Sequence, residues 1–317
     1  MVTIQDVREA AGRIGPNINR TPVLTSRTAD EKLGASLYFK CESFQRAGSF
    51  KIRGAFNAIS LLNEEEKARG VVAHSSGNHA QAVALATKLL GVKSTVVMPK
   101  GSPDVKVAAT RGYGAEVVFC ENSEGARIAE TGRLIEEHGY TLVHPYDNDN
   151  VIAGAGTAAL ELLEDVEGIE VLIAPVGGGG LLSGTSISAK GIDDKIDVFA
   201  SEPERADDAL RSIRAGHIVK NERPPDTIAD GLRTSLCERT FEIIGKNVTD
   251  IVTVSEAEIV EAMRFLWERM KLVVEPSGAV SVAGLLSGKI DVKNKVVGAV
   301  ISGGNVDLEG FFSSLTS

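Results

Sequence analysis

Short β-branched runs alternate with segments of helix length along almost the whole chain. The runs that predict strands are residues 36–40, 71–74, 95–98, 116–120, 141–144, 170–175, 197–201 and 295–301. Between them lie amphipathic stretches, such as residues 81–90, where Val83, Ala86 and Leu90 recur at helical spacing. Repetition of strand, helix and strand predicts an α/β fold, with parallel sheets covered by helices on both faces.

The chain has 317 residues, which suits two domains or one large α/β unit. The sequence contains no repeat of fixed period and no Pro/Ser-rich linker that would divide it into separate units. We therefore predict that one domain is inserted in the other, with crossings near residues 62–70 and 146–150. The predicted large domain comprises residues 1–66 and 148–317, and the predicted small domain comprises residues 67–147.

Charge and cysteine usage exclude several classes of protein. The formal net charge is −9, so no overall positive field attracts nucleic acid or anionic membranes. Cys41, Cys120 and Cys237 are widely spaced, which predicts neither a disulfide framework nor a zinc site and fits a reducing compartment. The N-terminus has no secretory pattern, and the uncharged run 171–189 is interrupted by glycines. We expect a cytoplasmic protein without nucleic-acid or membrane partners.

Three turns place glycines and polar side chains just past predicted strands, where parallel sheets leave room for a ligand. They are residues 74–79, 175–181 and 302–305. Glycine inside an element costs about 0.5–1 kcal/mol relative to Ala, so the run of glycines at 177–180 indicates close approach of a ligand to the backbone. Free N–H groups ending at a helix N-terminus bind phosphate. A tight strand-to-helix turn is the alternative interpretation.

The type of phosphate ligand is narrowed by two absent motifs. The sequence has neither Gly-x-x-x-x-Gly-Lys-Ser/Thr nor a dinucleotide fingerprint with its distal acid, which disfavours nucleotide hydrolysis and hydride transfer. Lys51 follows Gly48, Ser49 and Phe50 at the start of a predicted helix, a turn suited to placing an amine beside a ring. A partly desolvated amine has the lowered pKa that a Schiff base requires. A solvated surface charge is the alternative for Lys51.

Taken together, these segments resemble the fold-type II pyridoxal-phosphate enzymes of the serine racemase and serine/threonine dehydratase family. The matching segments are residues 48–55, 75–79, 177–180 and 302–305, with further similarity at residues 21–24, 228–231, 275–277 and 305–307. The resemblance implies the tryptophan synthase β-like architecture, with two parallel-sheet domains and the smaller inserted in the larger. It also implies pyridoxal 5′-phosphate as cofactor.

The resemblance assigns roles around the cofactor. Lys51 would form the Schiff base, and Phe50 would lie against the ring. Asn78 would bond the ring hydroxyl, and Ser302 would face the ring nitrogen. A neutral hydroxyl cannot keep that nitrogen protonated as a carboxylate would, which favours elimination and racemisation over transamination. The implied cofactor-binding residues are Phe50, Lys51, Asn78, Gly177, Gly178, Gly179, Gly180, Gly231, Glu275 and Ser302.

The turn at residues 75–79 is expected to hold the substrate α-carboxylate at a helix N-terminus. Helix capping is the alternative for Ser75 or Asn78, and bracing of the turn is the alternative for His79. Arg127 matches an arginine that approaches the substrate in racemases and would suit a dicarboxylate; a solvated helix charge is its alternative. The implied substrate-binding residues are Ser75, Ser76, Gly77, Asn78, His79 and Arg127.

Lys51 and Ser76 are the predicted catalytic residues, because inversion at Cα needs an acid or base on each face. Racemases carry Ser at the position of Ser76, many threonine deaminases carry Ala, and threo-3-hydroxyaspartate dehydratases share the Ser form. We predict a serine racemase with serine/threonine dehydratase activity that releases keto acid and ammonia. Alternatives are a threo-3-hydroxyaspartate dehydratase, a catabolic threonine dehydratase, a β-replacement enzyme, or a non-catalytic amino-acid- or nucleotide-binding module.

The acidic turn at residues 202–208, directly after the predicted strand 197–201, offers oxygen ligands for a hard cation such as Mg²⁺, Ca²⁺ or Mn²⁺. By resemblance the ligands would be the carboxylates of Glu202 and Asp208 and the carbonyl of Ala206; a solvated acidic loop is the alternative. The family also implies a homodimer. A nucleotide effector is left open, because residues 46–47 and Phe119 differ from their counterparts in mammalian racemases.

Overall fold

Ten strands form two sheets in the computed structural model, which describes residues 1–102, 104–221, 223–309 and 313. In chain order they are β1 (Val23–Thr25), β2 (Ser36–Cys41), β3 (Val71–His74), β4 (Ser94–Pro99), β5 (Glu116–Cys120), β6 (Thr141–Leu142), β7 (Val171–Pro175), β8 (Asp197–Pro203), β9 (Asp250–Val254) and β10 (Val296–Ile301). One sheet has the order β1-β2-β10-β7-β8-β9 and the other β5-β4-β3-β6. Among the described strands every pair is parallel except β1 with β2.

Helices cover both sheets. They are α1 (Ile4–Ile14), α2 (Arg27–Leu33), α3 (Lys51–Ser60), α4 (Glu64–Arg69), α5 (Asn78–Leu90), α6 (Asp104–Gly112), α7 (Glu124–His138), α8 (Asp149–Asp165), α9 (Gly180–Ile192), α10 (Asp208–Ala215), α11 (Glu238–Asn247), α12 (Glu256–Phe265) and α13 (Pro276–Leu286). Local signals set their ends: the Ser123 hydroxyl caps α7, and Gly139 ends it with a left-handed φ of 68°. Within the described ranges, no helix is long and apolar enough to cross a membrane.

The predicted α/β class with parallel sheets is confirmed. The observed strands differ from the predicted ones at the edges of the sheets. β1 and β9, which were not predicted, are the two edge strands of the six-stranded sheet. Central parallel strands appear in sequence as continuous apolar runs, whereas edge strands are partly exposed and give a weaker pattern. β6 ends at Leu142, two residues before the predicted end, because His144 Nδ1 accepts hydrogen bonds from the amides of Tyr146 and Asp147 and the chain turns there.

Two domains with parallel-dominated sheets are present. The four strands of the smaller sheet all lie between Val71 and Leu142, and strands from both flanking parts of the chain form the larger sheet. The smaller domain is thus inserted in the larger one. The domain limits at residues 66 and 148 stay predictions.

Glycines allow three helices of the large domain to pack with their backbones in near contact. A Cβ on Gly154 of α8 would lie 2.5 Å from the carbonyl oxygen of Arg53 in α3, and a Cβ on Gly184 of α9 would lie 2.5 Å from the amide nitrogen of Gly156 in α8. Any larger residue would force these helices apart. The position of α3, which begins at Lys51, is therefore tightly constrained.

A buried cluster of charges also anchors α3. Arg53 Nε lies 2.7 Å from Glu42 Oε2, and Arg53 Nη1 lies 2.7 Å from Glu161 Oε1. Arg53 Nη1 also donates to Thr157 Oγ1 at 3.0 Å, while Lys40 Nζ lies 2.7 Å from Glu161 Oε2. Lys40, Glu42 and Arg53 are 0% exposed. Buried charges are tolerated only when paired in this way, so the cluster ties the first turn of α3 to β2 and α8.

Candidate active site

The start of α3 lies beside the turn that follows β10. The Phe50 amide donates to the Ser302 carbonyl at 3.0 Å, and Ser49 and Gly303 form an isolated antiparallel bridge. The Glu275 amide at the start of α13 donates to the Gly303 carbonyl at 3.3 Å. Two of the segments singled out in the sequence are thus neighbours in space, although about 250 residues separate them in the chain.

Lys51 presents a partly buried amine at this junction. Its Nζ donates to the Pro145 carbonyl at 3.1 Å and lies 5.0 Å from the centre of the Phe50 ring. Burial lowers the pKa of the Lys51 amine from 10.5 to about 8, and the nearby Glu275 carboxyl partly opposes this shift. A substantial fraction of the amine is therefore unprotonated, and so nucleophilic and basic, in mildly alkaline solution.

Asn78, at the N-terminus of α5, is held by residues of the large domain. Its Nδ2 donates to Glu275 Oε1 at 2.6 Å, and its Oδ1 accepts from Asn305 Nδ2 at 2.8 Å. Asn305 Nδ2 also donates to the Ala47 carbonyl at 2.7 Å. Burial raises the pKa of Glu275 to about 8, and repulsion by Asp230 adds to this. Near neutral pH, Glu275 is therefore protonated to a large extent.

The turn between β3 and α5, residues 75–77, is partly buried and precedes the helix start. The Gly77 amide donates to Ser75 Oγ at 3.1 Å, which orders the turn, and Ser76 lies between them. His79 Nε2 lies 2.8 Å from the Val143 carbonyl, and burial together with the nearby Lys51 lowers the His79 pKa to about 3. The imidazole is therefore neutral and braces the turn, while its role toward substrate stays a prediction.

The glycine loop, residues 177–180, connects β7 to α9. Gly179 has a φ of 87°, and α9 begins at the next residue, so several amides at the N-terminus of a 13-residue helix have no partner within the helix. The Tyr146 ring lies across the loop: a Cβ on Gly178 would be 2.3 Å from Tyr146 Cδ1, and a Cβ on Gly180 would be 2.9 Å from Tyr146 Cβ. The loop therefore needs glycine for close packing, and its amides suit a phosphate.

Replacement of Gly178 by Ala is expected to destabilise the fold by about 1–3 kcal/mol, because the added methyl overlaps the Tyr146 ring. Urea unfolding measures the loss. Gly132→Ala is the matched control: this glycine lies inside α7, and none of the described neighbours of that helix lies within 4 Å of an added methyl, so alanine should stabilise the fold by about 0.5–1 kcal/mol. A Gly178→Ala protein as stable as the wild type would show that close packing does not explain this glycine.

Ser302 and Gly231 are joined through Ser277 of α13. Ser302 Oγ donates to the Ser277 carbonyl at 3.4 Å, and the Gly231 amide donates to Ser277 Oγ at 3.0 Å. Ser302 is only 4% exposed. Ser302 is therefore a buried neutral hydroxyl, and its position opposite the ring nitrogen stays a prediction.

Arg127 is not brought to the β3–α5 turn. It lies in the first turns of α7 and is partly buried. Burial raises the pKa of the Cys120 thiol, and the nearby Arg127 charge partly opposes this shift. No hydrogen bond or ion pair in the described part of the chain joins its side chain to residues 75–79. The role of Arg127 toward substrate stays a prediction.

Two carboxylates of the acidic turn after β8, Glu202 and Asp208, are buried, whereas Glu204 of the same turn is exposed. Glu202 is 1% exposed and accepts from the amides of Ala209 at 3.3 Å and Leu210 at 2.8 Å. Asp208 is 2% exposed; its Oδ1 accepts from Asn221 Nδ2 at 2.8 Å, while its Oδ2 is buried without a hydrogen-bond partner. Burial raises the pKa of both carboxyls, and for Glu202 repulsion by Asp208 contributes. Within the described residues, no group of three or more His, Cys, Asp or Glu side chains could hold a metal ion.

Several site residues escaped the sequence analysis. Asn305 lies in a recognised motif, but only the fold reveals its bond to Asn78. Tyr146 follows His144 and Pro145 in the sequence, but its packing on the glycine loop was not predicted. Lys40, a charge inside an apolar strand, was the one local signal of the buried charge cluster.

A desolvated lysine amine, a glycine loop at a helix N-terminus and two parallel-sheet domains define a class of α/β enzymes that bind a phosphate-bearing cofactor. The chain belongs to the family of pyridoxal-phosphate dependent enzymes, whose family model matches residues 14–303. The predicted family and its fold-type II architecture are therefore confirmed.

Within this family, the chain is similar over nearly its whole length to a serine racemase and to an ammonia-lyase. The chain is 52% identical to a serine racemase of Dictyostelium discoideum over 310 residues, which cover 97% of this chain and 96% of the relative. It is 50% identical to an L-threo-3-hydroxyaspartate ammonia-lyase of Saccharomyces cerevisiae, covering 98% and 95%. The crystal structure of the Dictyostelium discoideum serine racemase superimposes with a TM-score of 0.93 and covers 97% of this chain and 99% of that one.

Proposed function

We propose that this protein is a pyridoxal-phosphate dependent amino-acid racemase and ammonia-lyase that acts on β-hydroxy amino acids, with L-serine as the first substrate. The observation that carries the proposal is the Lys51 amine, partly buried and with a pKa near 8, beside Phe50 and Pro145. The names of the relatives support both reactions, because serine racemases and an ammonia-lyase match the chain over its whole length.

The residues of the cleft fit pyridoxal phosphate. The glycine loop offers helix N-terminal amides to a phosphate, and the Lys51 amine is available to a carbonyl group. Phe50 would cover one face of the ring, and Asn78, Gly231, Glu275 and Ser302 would line its edge. When bound, this cofactor withdraws electrons from the substrate Cα and makes its proton acidic.

Lys51 and Ser76 would handle the protons at Cα. Lys51 Nζ, with its pKa lowered to about 8, accepts the Cα proton on one face. The Ser76 hydroxyl donates a proton on the other face, which inverts the centre and gives the D-enantiomer. Loss of the β-hydroxyl as water is the competing outcome and leads to keto acid and ammonia. The amides of residues 75–78 would hold the α-carboxylate at the start of α5.

The direct test is incubation of the holoenzyme with L-serine, L-threonine or L-threo-3-hydroxyaspartate, with keto acid and D-enantiomer measured together. D-serine with pyruvate is the expected result. Keto acid alone, formed fastest from threo-3-hydroxyaspartate or threonine, would favour the ammonia-lyase alternative that the yeast relative suggests. Absence of product from all three substrates would instead favour the β-replacement enzyme, or a non-catalytic amino-acid-binding protein if Lys51→Ala leaves amino-acid binding intact.

Replacement of Ser76 by Ala is expected to lower D-serine formation by about 10²–10⁴-fold, the usual contribution of a positioned acid, while pyruvate formation persists. Chiral chromatography and a coupled pyruvate assay on the same samples give the ratio. Ser76→Thr is the matched control because it keeps the hydroxyl, and it should retain part of the racemisation. Equal losses of both products in Ser76→Ala would count against a two-face mechanism.

We further propose that Glu202, Asp208 and the Ala206 carbonyl bind Mg²⁺, or Ca²⁺ or Mn²⁺ in its place. The buried Asp208 Oδ2 without a partner is the supporting observation, since a cation would compensate a carboxylate that burial otherwise disfavours. Glu202 and Ala206 are also almost fully buried. Such a cation would brace the wall of the site and would not itself take part in the chemistry.

Mg²⁺ at one hundred times its dissociation constant is expected to stabilise the fold by about 2.7 kcal/mol relative to a chelator. Thermal unfolding in EDTA and in Mg²⁺ measures this difference. Asp208→Asn should abolish the response. Glu204→Gln, which alters an exposed acid of the same turn, should keep it. Identical melting temperatures of the wild type with and without Mg²⁺ would rule out the site.

The resemblance also leads us to propose a cytoplasmic homodimer. The three cysteines Cys41, Cys120 and Cys237 are free, which suits a reducing compartment. Light scattering behind size-exclusion chromatography tests the dimer, and the same measurement with added nucleotide tests the effector that residues 46–47 and Phe119 leave open.

A further inference from the structure

An ion pair joins the two domains beside the candidate active site. Lys106 Nζ, in α6 of the small domain, lies 2.5 Å from Asp230 Oδ2, in the 3₁₀ turn Asp230–Leu232 of the large domain. The two residues are 124 positions apart in the chain; the Lys106 side chain is 24% exposed and the Asp230 side chain is 40% exposed. Neither residue has a role predicted from the sequence.

On the large-domain side, Asp230 is tied to the residues that hold Asn78. The amide of Gly231 donates to Ser277 Oγ at 3.0 Å, and Ser277 lies in the first turn of α13, directly after Glu275 and Pro276. Glu275 in turn accepts the 2.6 Å hydrogen bond from Asn78. Asp230 and Glu275 therefore belong to one connected unit of the large domain.

On the small-domain side, Lys106 is tied to Asn78 through packing. Its neighbour Val107 lies in one buried cluster with Ala80 and Ala84 of α5, which begins at Asn78. A shift of α6 would therefore be transmitted to α5 and to the turn before it, because packed cores move as units. The ion pair Lys106–Asp230 and the hydrogen bond Asn78–Glu275 therefore both connect the small domain to the large domain.

We propose that Lys106 and Asp230 are a positioning pair: their ion pair holds the small domain closed so that Asn78 and the substrate-binding residues 75–77 stay in place beside Lys51. Its catalytic consequence rests on the proposed function. The pair differs in kind from Lys100–Glu121, which joins two exposed side chains within the small domain and spans no domain boundary. Exposed pairs of that type contribute little.

Burial is the main cause of the raised pKa of Glu275, and the same pair contributes to it. The charges acting on Glu275 are Asp230, which raises its pKa, and Lys106 and Lys51, which lower it. Loss of Lys106 should therefore raise the Glu275 pKa, and loss of Asp230 should lower it. Because these charges act on Glu275 through space, the two shifts test whether the pair lies beside Glu275, and hydrogen exchange together with KM tests whether it positions the small domain.

The test uses holoenzymes of Lys106→Gln, Asp230→Asn and the exchanged pair Lys106→Asp with Asp230→Lys, with Lys100→Gln as control. Hydrogen exchange of residues 78–84 should accelerate at least about fivefold in both single variants, the low end of typical site coupling. On the substrate that the wild type turns over, kcat/KM should fall about tenfold, mainly through KM. Lys106→Gln should shift the Glu275 limb of the pH profile to higher pH, and Asp230→Asn to lower pH.

The exchanged pair should recover wild-type exchange rates at residues 78–84, because it restores an attraction across the same gap. Single variants that match Lys100→Gln in both exchange and kinetics would overturn the proposal. Hydrogen exchange needs no substrate, so the positioning role can be judged even if none of the proposed substrates reacts. Faster exchange with unchanged kinetics would also refute it, since closure would then not serve the site.

Discussion

Replacement of Lys51 by Ala is expected to lower the rates of racemisation and elimination by about 10⁴-fold or more. The variant loses both the base that accepts the Cα proton and the amine that attaches the cofactor. The amine that the variant loses is the one with a pKa near 8, held by the Pro145 carbonyl beside the Phe50 ring. The measurement is the rate of keto acid and D-enantiomer release by the purified variant after incubation with excess pyridoxal phosphate. Its visible absorption should lack the band of a lysine-bound cofactor.

Lys88→Ala is the matched control, since Lys88 lies on the exposed face of α5. It should keep wild-type activity and absorption. Both variants should unfold at nearly the same urea concentration as the wild type, so that the loss in Lys51→Ala is chemical. An active Lys51→Ala protein, or a borohydride-fixed label on another lysine, would contradict the assignment of Lys51.

The largest effect on stability is expected for Arg53→Met, which should cost about 3–5 kcal/mol in the free energy of unfolding. The substitution removes the positive partner of Glu42 and Glu161 and leaves Glu42, which is 0% exposed, as an unpaired buried charge. Methionine fills much of the space of the arginine stem, so the loss reports on charge more than on packing. Urea unfolding followed by circular dichroism measures it.

Arg133→Met provides the comparison for Arg53. Arg133 pairs with Glu130 and Glu137 on the surface of α7, with about half of its side chain exposed. Exposed pairs contribute about 0–1 kcal/mol, so this variant should stay close to the wild type. If the two variants lost equal stability, burial would not be what makes the Arg53 cluster matter. Because α3 begins at Lys51, a folded Arg53→Met protein should also bind the cofactor more weakly.

Sequence patterns predicted strands best where the strands are fully buried. Central strands such as β4, β7 and β10 appeared as apolar runs, and the alternation with helices predicted their parallel arrangement. The edge strands β1 and β9 did not stand out, because an edge strand needs no continuous apolar run. The end of β6 depended on a side-chain cap from His144, which no periodicity encodes.

The sequence by itself determined the α/β class, the inserted domain and the family. It also determined the glycines and polar residues of the three turns that follow strands, residues 74–79, 175–181 and 302–305. These features follow from local patterns and motif spacing, which can be read directly from the sequence. The tertiary structure alone decided that Asn305 holds Asn78, that Tyr146 packs on the glycine loop, and that Lys106 meets Asp230 across the domains. Such contacts join residues far apart in the chain, and the pKa of Lys51 depends on the desolvation that only the assembled cleft produces.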